Sequence, residues 1–177
     1  RERTCEDAGR TVMDLLARDL RPRTIVTRRA LENAARVVAA TGGSTNAALH
    51  LPALANELGL DFDLFDVAEV FKTTPYVADL KPAGRFVAKD MFEAGGVPQL
   101  LKTLLDGGFL HGDCLTVSGR TLAEDLERVT FDPSQKVIFP VTNPITPTGG
   151  VVGLRGSLAP DGAIVKVAGL KSLQFTG

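Results

Sequence analysis

Apolar residues recur at spacings of three and four over the first two thirds of the chain, the pattern of helices that bury one face. Cys5, Ala8, Val12, Leu15 and Leu16 form such a stripe between Thr4 and Leu20. Glu6 and Asp7 stand in its first turn, where acidic side chains suit the helix dipole. Pro22 is expected to stop the chain there. Thr27 predicts the N-cap of a second helix through Leu31, Ala34, Ala35, Val37 and Val38, ended by Thr41-Gly42-Gly43. A third helix runs from Ser44 to Leu58, with Gly59 at its end. Pro52 falls inside it and, lacking a backbone donor, predicts a kink or a split. Short helices follow at Leu64–Lys72, Ala88–Ala94 and Val97–Asp106, and Thr121-Leu122-Ala123-Glu124 has the form of a capping box.

From about Lys136 the texture changes. Val137 to Val141 is a short β-rich run, and Asn143 to Gly150 is a linker rich in proline and glycine. Val151–Leu154 and Ala163–Val167 read as two strands joined across Ala159-Pro160-Asp161-Gly162, a good turn sequence. The fold class expected is therefore α/β. Residues 1–140 form the mainly helical end of one α/β domain, and 141–177 the linker and first strands of a β-rich domain. The chain enters a helix directly from Arg1-Glu2-Arg3-Thr4 and stops directly after a strand-like segment, so both ends read as internal to a longer protein.

Composition adds exclusions more than functions. Twenty basic residues face 21 acidic ones, and no stretch concentrates positive charge into a nucleic-acid footprint. No apolar run approaches the roughly 20 residues of a membrane-spanning helix, and no signal segment is present. Cys5 and Cys114 form no spaced Cys/His cluster, and the expectation is two buried, reduced thiols in a cytoplasmic protein.

Two places could carry chemistry. At Thr41-Gly42-Gly43-Ser44-Thr45-Asn46, two glycines bring the backbone close to a helix start, with three polar side chains and the amides of residues 44 to 46 directed outward. That arrangement suits an anion such as a carboxylate or phosphate, and it equally describes a tight helix–helix turn capped by Ser44. His111-Gly112-Asp113-Cys114 offers a histidine two residues from an aspartate, either an acid–base pair or a satisfied turn histidine beside a capping Asp113. Lys81-Pro82 and Arg85 lie on a loop and could reach an anion, though exposed loop cations are the default reading, and His50 has no assigned role.

Taken in order, these segments resemble one family. Gly42 through Leu51, Asp79-Leu80-Lys81-Pro82-Ala83-Gly84, Gly95-Gly96-Val97-Pro98 and Leu110 through Gly119 are each similar to motifs of the dihydroxy-acid and sugar-acid dehydratases. So are Asn143-Pro144, Pro147-Thr148-Gly149-Gly150 and Leu154 through Gly162. Each motif alone is weak, but the ordered set spans nearly the whole chain. Pro52 stands where the family usually has leucine, and Ser157 where it usually has asparagine.

The resemblance implies a hydro-lyase that removes water from a 2,3-dihydroxy acid to give a 2-keto acid, in branched-chain amino-acid biosynthesis. It implies an iron–sulfur cluster (2Fe-2S or 4Fe-4S) accepting the departing hydroxyl and Mg²⁺ holding the substrate. It places the ligands of both, and the catalytic base, outside this segment, and neither Cys5 nor Cys114 is assigned to the cluster. Within the segment it points to Ser44, Thr45, Asn46 and His111 as substrate-binding residues. The partners it implies are the small dihydroxy-acid substrate, the rest of the same polypeptide and further copies in a homo-oligomer, a homodimer in the first instance. A sugar-acid (aldonate or phosphogluconate) dehydratase, and a non-catalytic small-molecule-binding domain on the same scaffold, stay open as alternatives.

Overall fold

The computed structural model describes residues 2–170 and residue 172. Among these the elements are, in order, α1 (Glu2–Ala17), α2 (Pro22–Ile25), α3 (Arg28–Ala40), α4 (Ala47–Leu58), α5 (Leu64–Lys72), α6 (Ala88–Glu93), α7 (Gly96–Asp106), α8 (Leu122–Leu126), β1 (Val151–Gly156) and β2 (Ala159–Lys166). The described chain is thus mainly helical, with one antiparallel hairpin.

Helix α3 is the centre of the arrangement, touching α4, α5 and α7. Its sequence explains this. Leu31, Ala35 and Ala39 lie one turn apart and are almost wholly buried, and small side chains let neighbouring backbones come close. They share a core with Ala48 and Ala55 of α4, Val67 and Phe71 of α5, Phe62 and Val151. Ala40, at the end of the same helix, belongs instead to a second core built from Val77, Ala78, Met91, Leu100, Leu104, Leu110, Val137 and Ile138.

The caps follow the polar residues that flank each apolar run. Thr27 accepts a hydrogen bond from the Ala30 amide, as expected for the N-cap of α3. Asp63 and Asp66 make a reciprocal capping box on α5, and Thr121 and Glu124 make one on α8. At the C-terminus of α3 the Gly42 amide donates to Ala39 O and the Gly43 amide to Val38 O, a Schellman closure with Gly42 left-handed at φ +64°.

Several expectations need correction. Pro22 does not simply stop the chain. It opens the single turn α2, because its fixed φ suits a first helical position whose amide needs no partner. Helix α4 starts at Ala47 with Asn46 as its N-cap, not at Ser44, and it runs unbroken through Pro52. The segment Val137–Val141 forms no full strand. It pairs through an isolated bridge, Ala78 with Ile138, extended by bonds from Asp79 N to Val137 O and from Phe139 N to Val77 O, and ends at Pro140, which has no amide to donate.

The hairpin also turns elsewhere. Its loop is Ser157-Leu158, and Ala159-Pro160-Asp161-Gly162 lies inside β2. Leu154 pairs with Ala163 but Gly156 pairs with Ala159, so residues 160–162 oppose Arg155 alone. The turn-like residues form a bulge, which accepts a donorless proline and a glycine at φ +95°. Cys5 is exposed, not buried, because from Arg3 onward no residue of α1 is buried.

Phe71 is fully buried where α3, α5 and the hairpin meet. Phe71→Ala is expected to cost about 3–5 kcal/mol, seen as a lower denaturant midpoint at unchanged slope; a loss under about 1 kcal/mol would show that this core can collapse around the gap.

Candidate functional site

The turn after α3 opens onto a cavity of about 460 Å³ lined by Thr41, Gly43, Ser44, Thr45, Leu80, Lys81, Pro82 and Lys166. Three stretches of chain build it. The first is the Schellman turn itself, which fixes Thr41 by directing its hydroxyl back to the carbonyls of Val37 and Val38. Beyond it, Ala47 N donates to Ser44 O and Ala48 N to Thr45 O, so residues 44–46 make a tight turn before α4 begins. Ser44 Oγ accepts the Asn46 amide at 3.2 Å. The amides of Ser44 and Thr45 and the Thr45 hydroxyl keep no partner among the described residues.

The second stretch is the loop after Leu80. Asp79 is buried, and its carboxylate takes the Arg85 amide at 3.0 Å and the Arg85 guanidinium at 2.5 Å. Lys81 N donates to Phe86 O and Gly84 N to Leu80 O, both at 2.8 Å, which presents Lys81 and Pro82 at the cavity. The third stretch is the end of β2. The amides of Val167 and Ala168 both donate to Gly150 O at 2.9 Å. A Cβ on Gly150 would stand 2.9 Å from Gly42 Cα and 2.5 Å from Ala168 Cβ. Bare backbone at Gly150 therefore lets the hairpin reach the turn after α3 and carry Lys166 to the cavity.

Tyr76 packs under the same turn. Its ring carbons lie 2.9 Å from where a Gly42 Cβ would be, and its buried hydroxyl has no hydrogen-bond partner among the described residues. Burial, with the nearby Asp79 charge, pushes the Tyr76 hydroxyl pKa up, so it remains a neutral donor.

Ser44 and Thr45 thus lie together at the cavity, whereas Asn46 is exposed beside it and His111 is held in a different cluster. His111 Nε2 lies 2.7 Å from Glu32 Oε2, and its Nδ1 lies 3.3 Å from an Arg29 guanidinium nitrogen. A carboxylate only accepts and a guanidinium only donates, which assigns the proton to Nε2 and the acceptor role to Nδ1. The buried Asn33 side chain accepts the His111 amide at 2.8 Å and donates to its carbonyl at 3.0 Å. His111 is therefore a fully partnered turn histidine. Asp113 meets Arg29 at 2.5 Å, which holds its carboxyl below the usual carboxylate range. Burial, aided by Asp113, pushes the half-buried Cys114 thiol up, away from the reactive thiolate.

Lys166 carries no signal in the sequence that would tie it to residue 44, whereas Lys81 reads there as a loop cation able to reach an anion. Among the described residues no group of three or more His, Cys, Asp or Glu side chains could hold a metal ion, and no helix is long and apolar enough to cross a membrane.

Two substitutions test this geometry. A Cβ on Gly43 would meet Val38 O and Val38 Cγ1 at 2.5 Å, whereas one on Gly156 meets nothing within 4 Å. Gly43→Ala is expected to lose about 1–3 kcal/mol in denaturant unfolding, with Gly156→Ala near neutral as its control. Burial acts to raise the Asp66 pKa, but the Arg28 guanidinium at 2.6 Å and the Asp63 amide hold it below its ordinary value. A lowered folded-state pKa stabilises above the unfolded value and loses that stabilisation as pH falls through it. Asp66→Asn should therefore be less stable than the native chain at neutral pH, with the gap closing below about pH 4; equal stabilities at both pH values would exclude this linkage.

Residues 1–125 match the family described as dihydroxy-acid/6-phosphogluconate dehydratase N-terminal, and residues 136–177 match its C-terminal counterpart. The whole chain is 69% identical to dihydroxy-acid dehydratase 2 of Bradyrhizobium diazoefficiens and 66% identical to dihydroxy-acid dehydratase of Parvibaculum lavamentivorans, covering 31% of each. Over 96% of its length it is 67% identical to dihydroxy-acid dehydratase of Pelagibacter ubique, covering 30% of that protein. The chain thus spans under a third of the length of these relatives, and both halves of its cavity wall, the Thr41–Thr45 turn and Lys166, fall within matched regions. On these matches the chain belongs to the dihydroxy-acid/6-phosphogluconate dehydratase family.

Proposed function

We propose that this chain is part of a hydro-lyase that converts a 2,3-dihydroxy acid to a 2-keto acid, and that its contribution is one wall of the substrate pocket. The observation that carries this reading is the meeting of the Gly43-Ser44-Thr45 turn with Lys81 and Lys166 around one open cavity. In the reaction a base takes the C2 proton, the C3 hydroxyl leaves as water, and the resulting enol tautomerises to the keto acid. Ser44 and Thr45 border the substrate and offer hydroxyls and free amides to its oxygens, with Asn46 at the rim.

The iron–sulfur cluster and Mg²⁺ of the whole enzyme are placed on ligands outside this segment, where they would supply Lewis acidity. The names of the relatives support a dihydroxy acid as substrate, and we assign it to branched-chain amino-acid biosynthesis. On the same reading residues 1–140 complete one domain, 141–177 begin a β-rich one, and the cytoplasmic enzyme is a homo-oligomer.

The test is a turnover assay of the full-length parent on dihydroxyisovalerate, phosphogluconate and aldonic acids side by side. Dihydroxyisovalerate is expected to be the best substrate by at least about tenfold in kcat/KM, a difference of about 1.4 kcal/mol. The isolated 177-residue chain, given iron, sulfide and Mg²⁺, is expected to turn over none of them. Dehydration by the isolated chain, or by the parent of none of the three acids, would overturn the reading.

A further inference from the structure

We propose that Lys81 and Lys166 form a two-armed clamp for the carboxylate of the substrate, an inference that rests on the hydro-lyase reading and names the residues that recognise the acid. The two lysines are 85 positions apart in sequence and arrive on different elements, yet both line the cavity beside Ser44 and Thr45.

Most cations that line other depressions are paired. Arg28, Arg29, Lys72, Arg85 and Lys102 each have a carboxylate at 2.5–3.5 Å, whereas Lys136 has none among the described residues. Neither Lys81 nor Lys166 forms an ion pair among the described residues, and no aspartate or glutamate lines their cavity. Two like charges sharing one concavity repel, and an anion placed between them removes that repulsion while gaining two attractions. Hydroxyls and backbone amides beside them add donors suited to carboxylate oxygens. At about 460 Å³ the cavity is within the range of small-molecule sites.

Both arms stand on fixed backbone. Lys81 is set by the bonds of its loop to Phe86 and by the Asp79–Arg85 pair. Lys166 pairs with Val151 across the hairpin, one residue before the amides that bind Gly150 O. A Cβ on Gly169 would stand 3.2 Å from Ala83 Cα, so the hairpin end and the Lys81 loop lie against each other. The clamp also has a chemical purpose. Removing a proton next to a carboxylate builds negative charge onto it, and cations held there stabilise that charge as it develops.

The experiment uses the full-length enzyme with its cofactors, comparing wild type with Lys81→Met, Lys166→Met and the two Lys→Arg variants. Calorimetric titration with 2,3-dihydroxyisovalerate and with its neutral amide reads binding, steady-state turnover reads KM and kcat, and visible absorption checks that the cofactor content is unchanged. Each methionine variant is expected to weaken acid binding about tenfold or more and to raise KM, with most of the affinity returned by arginine. Binding of the amide should stay unchanged.

Acid binding within twofold of wild type in both methionine variants, or equal weakening for acid and amide, would overturn the clamp. So would a lysine-dependent gain confined to phosphorylated acids, which would assign the lysines to a phosphate. Lys81→Gln and Lys166→Gln carry the same comparison if the methionine variants do not fold. A wild type that binds the acid through these lysines but dehydrates nothing would sink the hydro-lyase reading and leave the clamp standing.

Discussion

The three carbonyls at the end of α3 organise this molecule. A helix leaves its last carbonyls without intrahelical partners, and in a packed interior each must find a donor. Here Val38 O and Ala39 O receive the amides of Gly43 and Gly42, while Ala40 O receives those of Val77 and Ala78. The first pair reverses the chain into α4. The Ala40 contacts pin the extended segment that runs on to Leu80. One helix end therefore fixes both the turn and the loop that face each other across the cavity, and it joins the two apolar cores while doing so.

Glycine supplies the remaining closeness. Gly149 donates to Phe71 O, and a Cβ there would crowd Ala39 at 2.8 Å, so the linker is pressed into the groove between α3 and α5. Gly150 then brings the hairpin onto Gly42. Backbone meeting backbone leaves little freedom in where β2 ends. A long, flexible lysine at that end can thus belong to a site whose first members, such as Ser44, lie more than 100 residues earlier.

Much of this was legible in the residues. Period and capping chemistry placed α3, α5, α7 and α8 closely, because an apolar stripe and a Thr or Asp cap are local properties. The Gly-Gly turn after α3 and the gathering of Ser44 and Thr45 beside it were readable for the same reason. What escaped was set by distant partners. Pro160-Asp161-Gly162 reads as a turn locally, yet opposite Arg155 it becomes a bulge, since strand register is decided across the ladder. The run from Val137 to Val141 has β character but too short a partner in residues 76–80 to build a strand. Lys166 was invisible as a pocket residue because nothing near it in sequence reports the approach of Gly150 to Gly42. His111 was visible as a polar residue, but the partners that occupy both its ring nitrogens come from α3, about 80 positions away.

Helix α1 shows the opposite situation to α3. Its apolar stripe is real, but Val12, Met13 and Leu16 are 62%, 64% and 72% exposed, so the stripe meets solvent. A 16-residue helix without tertiary burial is held together by little beyond its own hydrogen bonds and side-chain ion pairs, a marginal state in water. Its backbone amides should accordingly trade their hydrogens with deuterium long before those of α3, making α1 the first of the described helices to fray.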